Sequence, residues 1–172
     1  MSGIGPLNLA DAELKGFDAV DAGRYNAEVF AITMDAVKNA SGEGKMPAGT
    51  PMIKVQFKLV SDASGNEEGI NNRRVFASYV VPPKDYDPKK AAMMKGMIAR
   101  LFIALDDPED KVVSKNFDPD FDDYVGRECV VILGKEQKKD SQGNLIEGEY
   151  NNPVKGVKLA GSIAGANVGG LL

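Results

Sequence analysis

The residues of this sequence whose types and spacing bear most on function are cations that lie close to aromatic residues. Lys54 and Lys58 lie on one side of an alternating segment, and a pair of arginines precedes two aromatic residues. Cations neutralise phosphates and aromatic faces stack on bases, so this combination suits a ligand that carries both groups. The candidate binding residues are Lys54, Lys58, Arg73, Arg74, Phe76, Tyr79, Lys135, Lys138 and Lys139.

Each of these residues, taken singly, has an ordinary alternative. A lysine commonly lies on a solvated strand face, and an aromatic ring commonly belongs to the core. The chain has no tryptophan and only 7% aromatic residues, so a stacking surface as rich as that of the strongest binders is not expected. The set as a whole, more than any one member, indicates a binding surface.

The composition of the chain offers few of the residue types that enzymes use for catalysis. The chain has no histidine and one cysteine, Cys129, which lies in an apolar run. The lack of an imidazole excludes the usual zinc sites and the Ser-His-Asp and Cys-His mechanisms. The sequence also has no phosphate-binding loop and no Gly-rich dinucleotide turn. We therefore expect a binding protein and not an enzyme, with no cofactor and with an inert, buried thiol.

An acidic segment, residues 106–123, carries eight carboxylates and two lysines, a net charge of −6. The whole chain has a formal charge of −4, so the remaining residues sum to +2 and an anionic ligand is not excluded. Alternate Asp residues at 118, 120 and 122 have the spacing of a calcium loop. However, Asp123 stands where such a loop has its turning Gly, and Cys129 where it has its bidentate Glu. We predict a solvated connection and no metal site.

The main helix is predicted at residues 87–105. Asp87 is suited to cap its first turn, Pro88 to occupy its first position, and Asp-Asp-Pro at 106–108 ends it. Apolar residues recur at spacings of three and four, which predicts one apolar face that covers a sheet. That face consists of Met94, Met97, Ile98, Leu101, Phe102 and Leu105.

Three strands are predicted before the helix. In residues 23–38 the apolar side changes near Phe30, which is typical of a bent or bulged strand. Residues 52–60 alternate cleanly between apolar and polar side chains. In residues 73–81 both faces carry apolar side chains, so the sequence leaves open which face is inward.

Two strands are predicted after the helix. Residues 129–133 form an apolar run typical of a fully buried strand, and a Lys-rich turn follows at 135–144. The last strand is predicted at about 150–159.

This element order, three strands, a helix and two further strands, is that of an OB-fold barrel with a helix between strands 3 and 4. The alternative is a β-sandwich with one crossover helix. The predicted fold is therefore mainly β, a five-stranded OB-fold-like barrel at residues 23–159. We predict an N-terminal arm at residues 1–22 and a Gly/Ala-rich, uncharged tail at 160–172.

A chain of 172 residues with 43% hydrophobic residues suits one domain with a proper core. The sequence has no run of the roughly 20 apolar residues that a membrane span needs, and its start lacks a secretory pattern. We expect a cytoplasmic protein with no membrane partner.

Three short stretches carry a resemblance to a known group of proteins. They are AGRYNAEV from Ala22, YVGRECVV from Tyr124 and YNNPVKGV from Tyr150, and together they span most of residues 22–159. In their order and spacing the chain resembles small phage-encoded proteins that bind single-stranded DNA in replication and recombination modules.

The resemblance implies a non-specific single-stranded-DNA-binding protein of OB-fold type in the host cell cytoplasm. Its expected partners are single-stranded DNA, phage replication or recombination proteins, and copies of itself joined through the arm or the tail. The alternative from another class is a phage structural protein, a head or tail component whose arm and tail tie it to its neighbours.

Overall fold

The fold is known from a computed structural model, which describes residues 5–10, 19–38, 46–70 and 73–161. The strands in these ranges are β1 (Gly23–Ala36), β2 (Pro51–Asp62), β3 (Arg74–Val80), β4 (Glu128–Leu133), β5 (Glu136–Lys139), β6 (Leu145–Asn151) and β7 (Val154–Leu159). The helices are α1 (Pro88–Ala104), the short α2 (Glu109–Val112) and a 3-10 turn at Phe121–Tyr124.

Five of the strands form one antiparallel sheet in the order β3-β2-β1-β4-β7, and β5 and β6 pair separately as a hairpin. The sheet is strongly curled, and in the order of the chain α1 lies between β3 and β4, as in the predicted OB-like barrel. β3 and β7 are the edge strands. Each is separated from β1 by two antiparallel pairings, so both run in the same direction as β1 and are parallel to each other. They line a common cavity of about 410 Å³, which we call the seam.

The predicted change of side in β1 is confirmed, and a bulge causes it. Val29 pairs with Phe57 and Ala31 with Gln56, so Phe30 is an extra residue in the strand. Before the bulge Val29 is buried, and after it Ile32 is buried, because the extra residue reverses the alternation. The bulge lets one long strand pair with β4 over its first half and with β2 along its whole length.

The predicted alternation of β2 is confirmed, since its inward side chains are all buried and its lysines are not. The inward residues are Ile53, Val55, Phe57 and Leu59. In β3, Val75 is buried and Tyr79 packs against the core, whereas Phe76 faces outward. The register with β2 settles the face that the sequence left open.

The cap of α1 is as predicted, because the Asp87 carboxylate accepts a hydrogen bond from the Lys90 backbone N–H at 3.0 Å. The apolar face is only partly as predicted. Leu101, Phe102 and Leu105 are fully buried, and Met94 and Ile98 are half-buried, but Met97 is 54% exposed. Met97 lines the seam, between the two ends of the sheet.

Two predictions about the end of the sheet were wrong. The Lys-rich turn at 135–144 contains a strand, β5, and the single strand expected at 150–159 is divided between β6 and β7. Asn152 and Pro153 separate these two strands. Pro153 has no N–H to donate to a ladder, and the Asn152 side chain instead bonds backbone groups of other segments.

The predicted arm and tail lie largely outside the described residues, which lack 1–4, 11–18 and 162–172. Within the arm, Val20 is buried, and its N–H and carbonyl bond the Asn152 side chain at 2.9 and 2.8 Å. No helix in the described ranges has the length and apolar character needed to cross a membrane.

Candidate functional site

The outer face of β1, β2 and β3 brings together most of the candidate residues that precede α1. Lys58 lies in register between Glu28 on β1 and Arg74 on β3, and Gln56 pairs with Phe76. Because alternate residues of a strand share a face, Lys54 and Lys58 on β2 point away from the core together with Arg74 and Phe76 on β3. This outer face is the candidate site.

Two exposed aromatic rings and one guanidinium form the centre of this face. The Arg74 side chain crosses β2, and its Cζ lies 3.7 Å from the centroid of the Phe30 ring. Phe30 is 42% exposed and Phe76 is 65% exposed, although burial is the usual environment of phenylalanine. We call Phe30, Arg74 and Phe76 the aromatic platform.

Phe30 is the member of the platform that the sequence prediction missed. Its neighbours in the alternation are apolar, so the pattern assigned it to an apolar side of β1. In the structure it occupies the bulge, which turns its ring outward. The change of apolar side at this residue was the available signal, since a bulge re-aims the side chain at its centre.

The charge of the outer face is close to neutral. Lys54 forms an ion pair with Asp35 at 2.9 Å, and the hydrogen bond from Lys54 lowers the pKa of the Asp35 carboxyl. Glu28 lies opposite Lys58 in the ladder. Around the platform, the three cations Lys54, Lys58 and Arg74 and the two carboxylates Glu28 and Asp35 leave one positive charge.

Two of the predicted residues lie apart from the platform. Tyr79 is on the inward face of β3, and burial raises the pKa of its phenol to about 12. Arg73 precedes β3 and is half-buried, and its carbonyl accepts a hydrogen bond from the Leu59 N–H at 2.9 Å. These positions follow from the register of β3, in which Arg74 and Phe76 take the outer face.

The predicted loop lysines lie on the β5–β6 hairpin, in a different sheet from the platform. Lys138 and Lys139 are exposed on β5, and the Lys135 Nζ lies 5.2 Å from the centroid of the Tyr150 ring. An ion pair of 3.0 Å between Lys155 and Glu136 connects β7 with β5. The hairpin thus places cations next to another exposed ring, that of Tyr150, on a different part of the surface from the platform.

A buried polar cluster lies where the acidic connection meets β4. The Asp107 carboxylate accepts hydrogen bonds from the Tyr124 hydroxyl and, at 3.0 Å, from Arg127 Nη1. Burial raises the pKa of Asp107, but the hydrogen bonds from Tyr124 and Arg127 outweigh this effect and hold it below its ordinary value. Both oxygens of the Asp107 carboxylate are bonded within the protein, which points to a structural role.

Cys129 is buried in β4, and burial raises the pKa of its thiol to about 12. In the described part of the chain, no three Cys, Asp or Glu side chains come together as a metal site would require.

Comparison with known proteins adds no family to these observations. No protein-family model matches the chain, and no curated protein matches its sequence.

Proposed function

We propose that this protein binds single-stranded DNA with little base preference, through the aromatic platform and the lysines around it, in support of phage DNA replication or recombination. The observation that carries the proposal is the exposed pair of rings, Phe30 and Phe76, with the Arg74 guanidinium held over one of them. Solvent-exposed aromatic faces beside a cation are what unpaired bases and their phosphates require.

The platform favours single strands over duplex. A base can stack on a phenylalanine ring only when its own face is free, and each stacked base is worth roughly 1–3 kcal/mol. Every base has such a face, so stacking of this kind gives little sequence preference. Because the outer face carries a surplus of only one positive charge, few phosphate contacts are expected and the affinity should be modest.

The test is a titration of fluorescent oligo-dT at two salt concentrations with the wild type and with Phe76→Ala. Loss of one stacking surface should weaken binding roughly 5- to 150-fold, the equivalent of about 1–3 kcal/mol. The slope of log affinity on log salt should not change, since no phosphate contact is removed. The control is Tyr86→Ala, an aromatic residue in the turn before α1, which should change affinity less than about twofold.

Two results would overturn the proposal. One is duplex DNA bound at least as tightly as oligo-dT; the other is no oligo-dT binding at low salt by the folded protein. In the second case the structural-protein alternative gains weight.

Leu7 and Leu9 favour the structural-protein alternative, because they are 63% and 68% exposed in the arm and are suited to contact another subunit. Sedimentation of wild type and a Leu7→Ser/Leu9→Ser variant would then measure assembly.

A further inference from the structure

The seam between the edge strands has an unusual charge for this chain. Among the described residues, its lining includes three cations, Arg100 of α1 and Lys155 and Lys158 of β7, and no carboxylate. The chain as a whole carries four more acidic than basic side chains, so a cavity lined in this way is not what the composition alone would give. A surplus of cations at a cavity attracts an anion.

The cations of the seam differ in how free they are to meet a ligand. Lys155 is already paired with Glu136 at 3.0 Å, so part of its charge is neutralised. Arg100 and Lys158 are exposed, and they approach the seam from the helix and from β7 respectively. They are therefore the two groups best suited to hold a phosphate from opposite sides.

The walls of the seam supply surfaces for a base. Phe76 and Tyr79 of β3 both line it. β3 and β7 are the two ends of the sheet, so their facing backbone N–H and C=O groups are not used in the ladder of the described strands. A volume of about 410 Å³ lies within the range of small-ligand pockets, roughly 300–1,000 Å³.

Phe76 connects the seam with the aromatic platform. Its backbone lies in the edge strand, its ring is exposed on the outer face, and it also lines the seam. A strand stacked on Phe76 is thus already at the mouth of the seam and can continue into it without crossing other structure.

We propose that a bound single strand passes over Phe76 from the platform into the seam, where one nucleotide unit binds. Its phosphate lies between Arg100 and Lys158, and its base lies against the Phe76 ring at the mouth of the seam. This inference rests on the proposed function and deepens it, since it makes α1 and β7 part of the DNA path.

The test compares wild type with the double variant Arg100→Ala/Lys158→Ala on oligo-dT of about 4 and about 16 nucleotides, the range of site sizes of OB folds. The short oligonucleotide can be held by the platform alone, so its affinity should change less than about twofold. The long one should bind roughly tenfold more weakly at low salt, with a salt slope smaller by about 0.7, because one phosphate is no longer neutralised and each contributes about 0.7.

The matched control removes two lysines elsewhere, Lys95→Ala/Lys115→Ala. Lys95 lies on the other flank of α1, where it lines an apolar groove, and Lys115 is exposed in the acidic connection. If the seam variant behaves like this control while wild type still binds both oligonucleotides, the seam is not on the DNA path and only this inference fails. If wild type binds neither oligonucleotide, the proposed function fails and the inference fails with it.

Discussion

Among the residues the structure describes, Asp107 is the only charged side chain that is buried. Its burial distinguishes it from the other carboxylates of the acidic segment. Besides the bonds from Tyr124 and Arg127, Lys111 Nζ lies 3.9 Å from it. Arg127 Nη1 also donates to the Leu105 carbonyl at 2.8 Å. The cluster therefore ties the end of α1 to the residues that lead into β4.

We predict that Asp107→Asn lowers the free energy of unfolding by about 2–3 kcal/mol. The substitution removes the charge that compensates a partly buried guanidinium, and hydrogen bonds to charged groups are worth about 1.5–3 kcal/mol. The control is Asp106→Asn, an exposed neighbour with a φ of 77° that asparagine also tolerates. Urea unfolding should show a change of less than about 0.5 kcal/mol for the control.

The effect of Asp107 should depend on pH in a defined direction. Its pKa in the folded protein is lower than its ordinary value of 3.8, so the folded state favours the ionised carboxylate. The stability it contributes is fully present above pH 3.8 and is lost as the pH falls through the lowered pKa. The difference between wild type and Asp107→Asn should therefore be full at neutral pH and shrink below about pH 4. A difference that stays constant across this range would contradict the assignment.

At the residue scale, the sequence identified candidate residues but could not give the direction of every side chain. The alternation of β2 defined its outer lysines because apolar and polar residues strictly alternate there. In β3 the same argument failed to choose between Phe76 and Tyr79, because both faces of that strand carry aromatic residues. The choice depends on the register with β2, a contact between residues distant in sequence.

At the scale of elements, the junction between β6 and β7 holds three segments of the chain together. The Asn152 side chain makes three hydrogen bonds of 2.8–2.9 Å, two with the backbone of Val20 and one with the Gly134 carbonyl. One side chain thus joins the segment before β1, the connection after β4 and the start of β7.

We predict that Asn152→Ala destabilises the protein by about 2–4 kcal/mol, because it leaves buried backbone groups without partners. Asn151→Ala provides the control, since the neighbouring side chain is exposed and should cost less than about 0.5 kcal/mol. Thermal or urea unfolding measures both. Equal stabilities of the two variants would show that water or a shift of the segment replaces the bonds of Asn152.

Elements with strong local signals were predicted well. The cap and proline of α1 and the clean alternation of β2 are contained in a few adjacent residues, so sequence alone locates them. The β5–β6 hairpin was missed because its strands are polar and largely exposed on both sides, and an exposed ribbon needs no apolar alternation. Met97 was misassigned because burial at the seam depends on where the sheet ends, which no local pattern records.

For the whole molecule, the distribution of charge matters more than its sum. Residues 106–123 carry −6 and the remainder of the chain +2, so a protein with an acidic average presents an outer face with a small positive surplus. The acidic connection still repels an approaching polyanion from a distance. This repulsion is screened by salt, with a Debye length of about 30 Å at 0.01 M and about 8 Å at 0.15 M.

We predict that Asp118→Asn/Asp122→Asn strengthens oligo-dT binding roughly two- to fivefold at about 0.01 M salt and leaves it unchanged at about 0.15 M. Both side chains are exposed, so the fold should tolerate the change. The reason is long-range: the two carboxylates make no contact with the platform, and their field reaches it only when the screening length is long.

A second pair of substitutions with the same charge change, Glu147→Gln/Glu149→Gln on β6, separates net charge from local contact. If the repulsion is general, both pairs should strengthen binding at low salt and neither should do so at physiological salt. Arg74→Ala, which removes a direct contact, should instead weaken binding at both salt concentrations. At 0.15 M salt the Debye length is about 8 Å. If the aspartate pair still strengthens binding at this concentration, the acidic connection lies against the bound strand and not away from it.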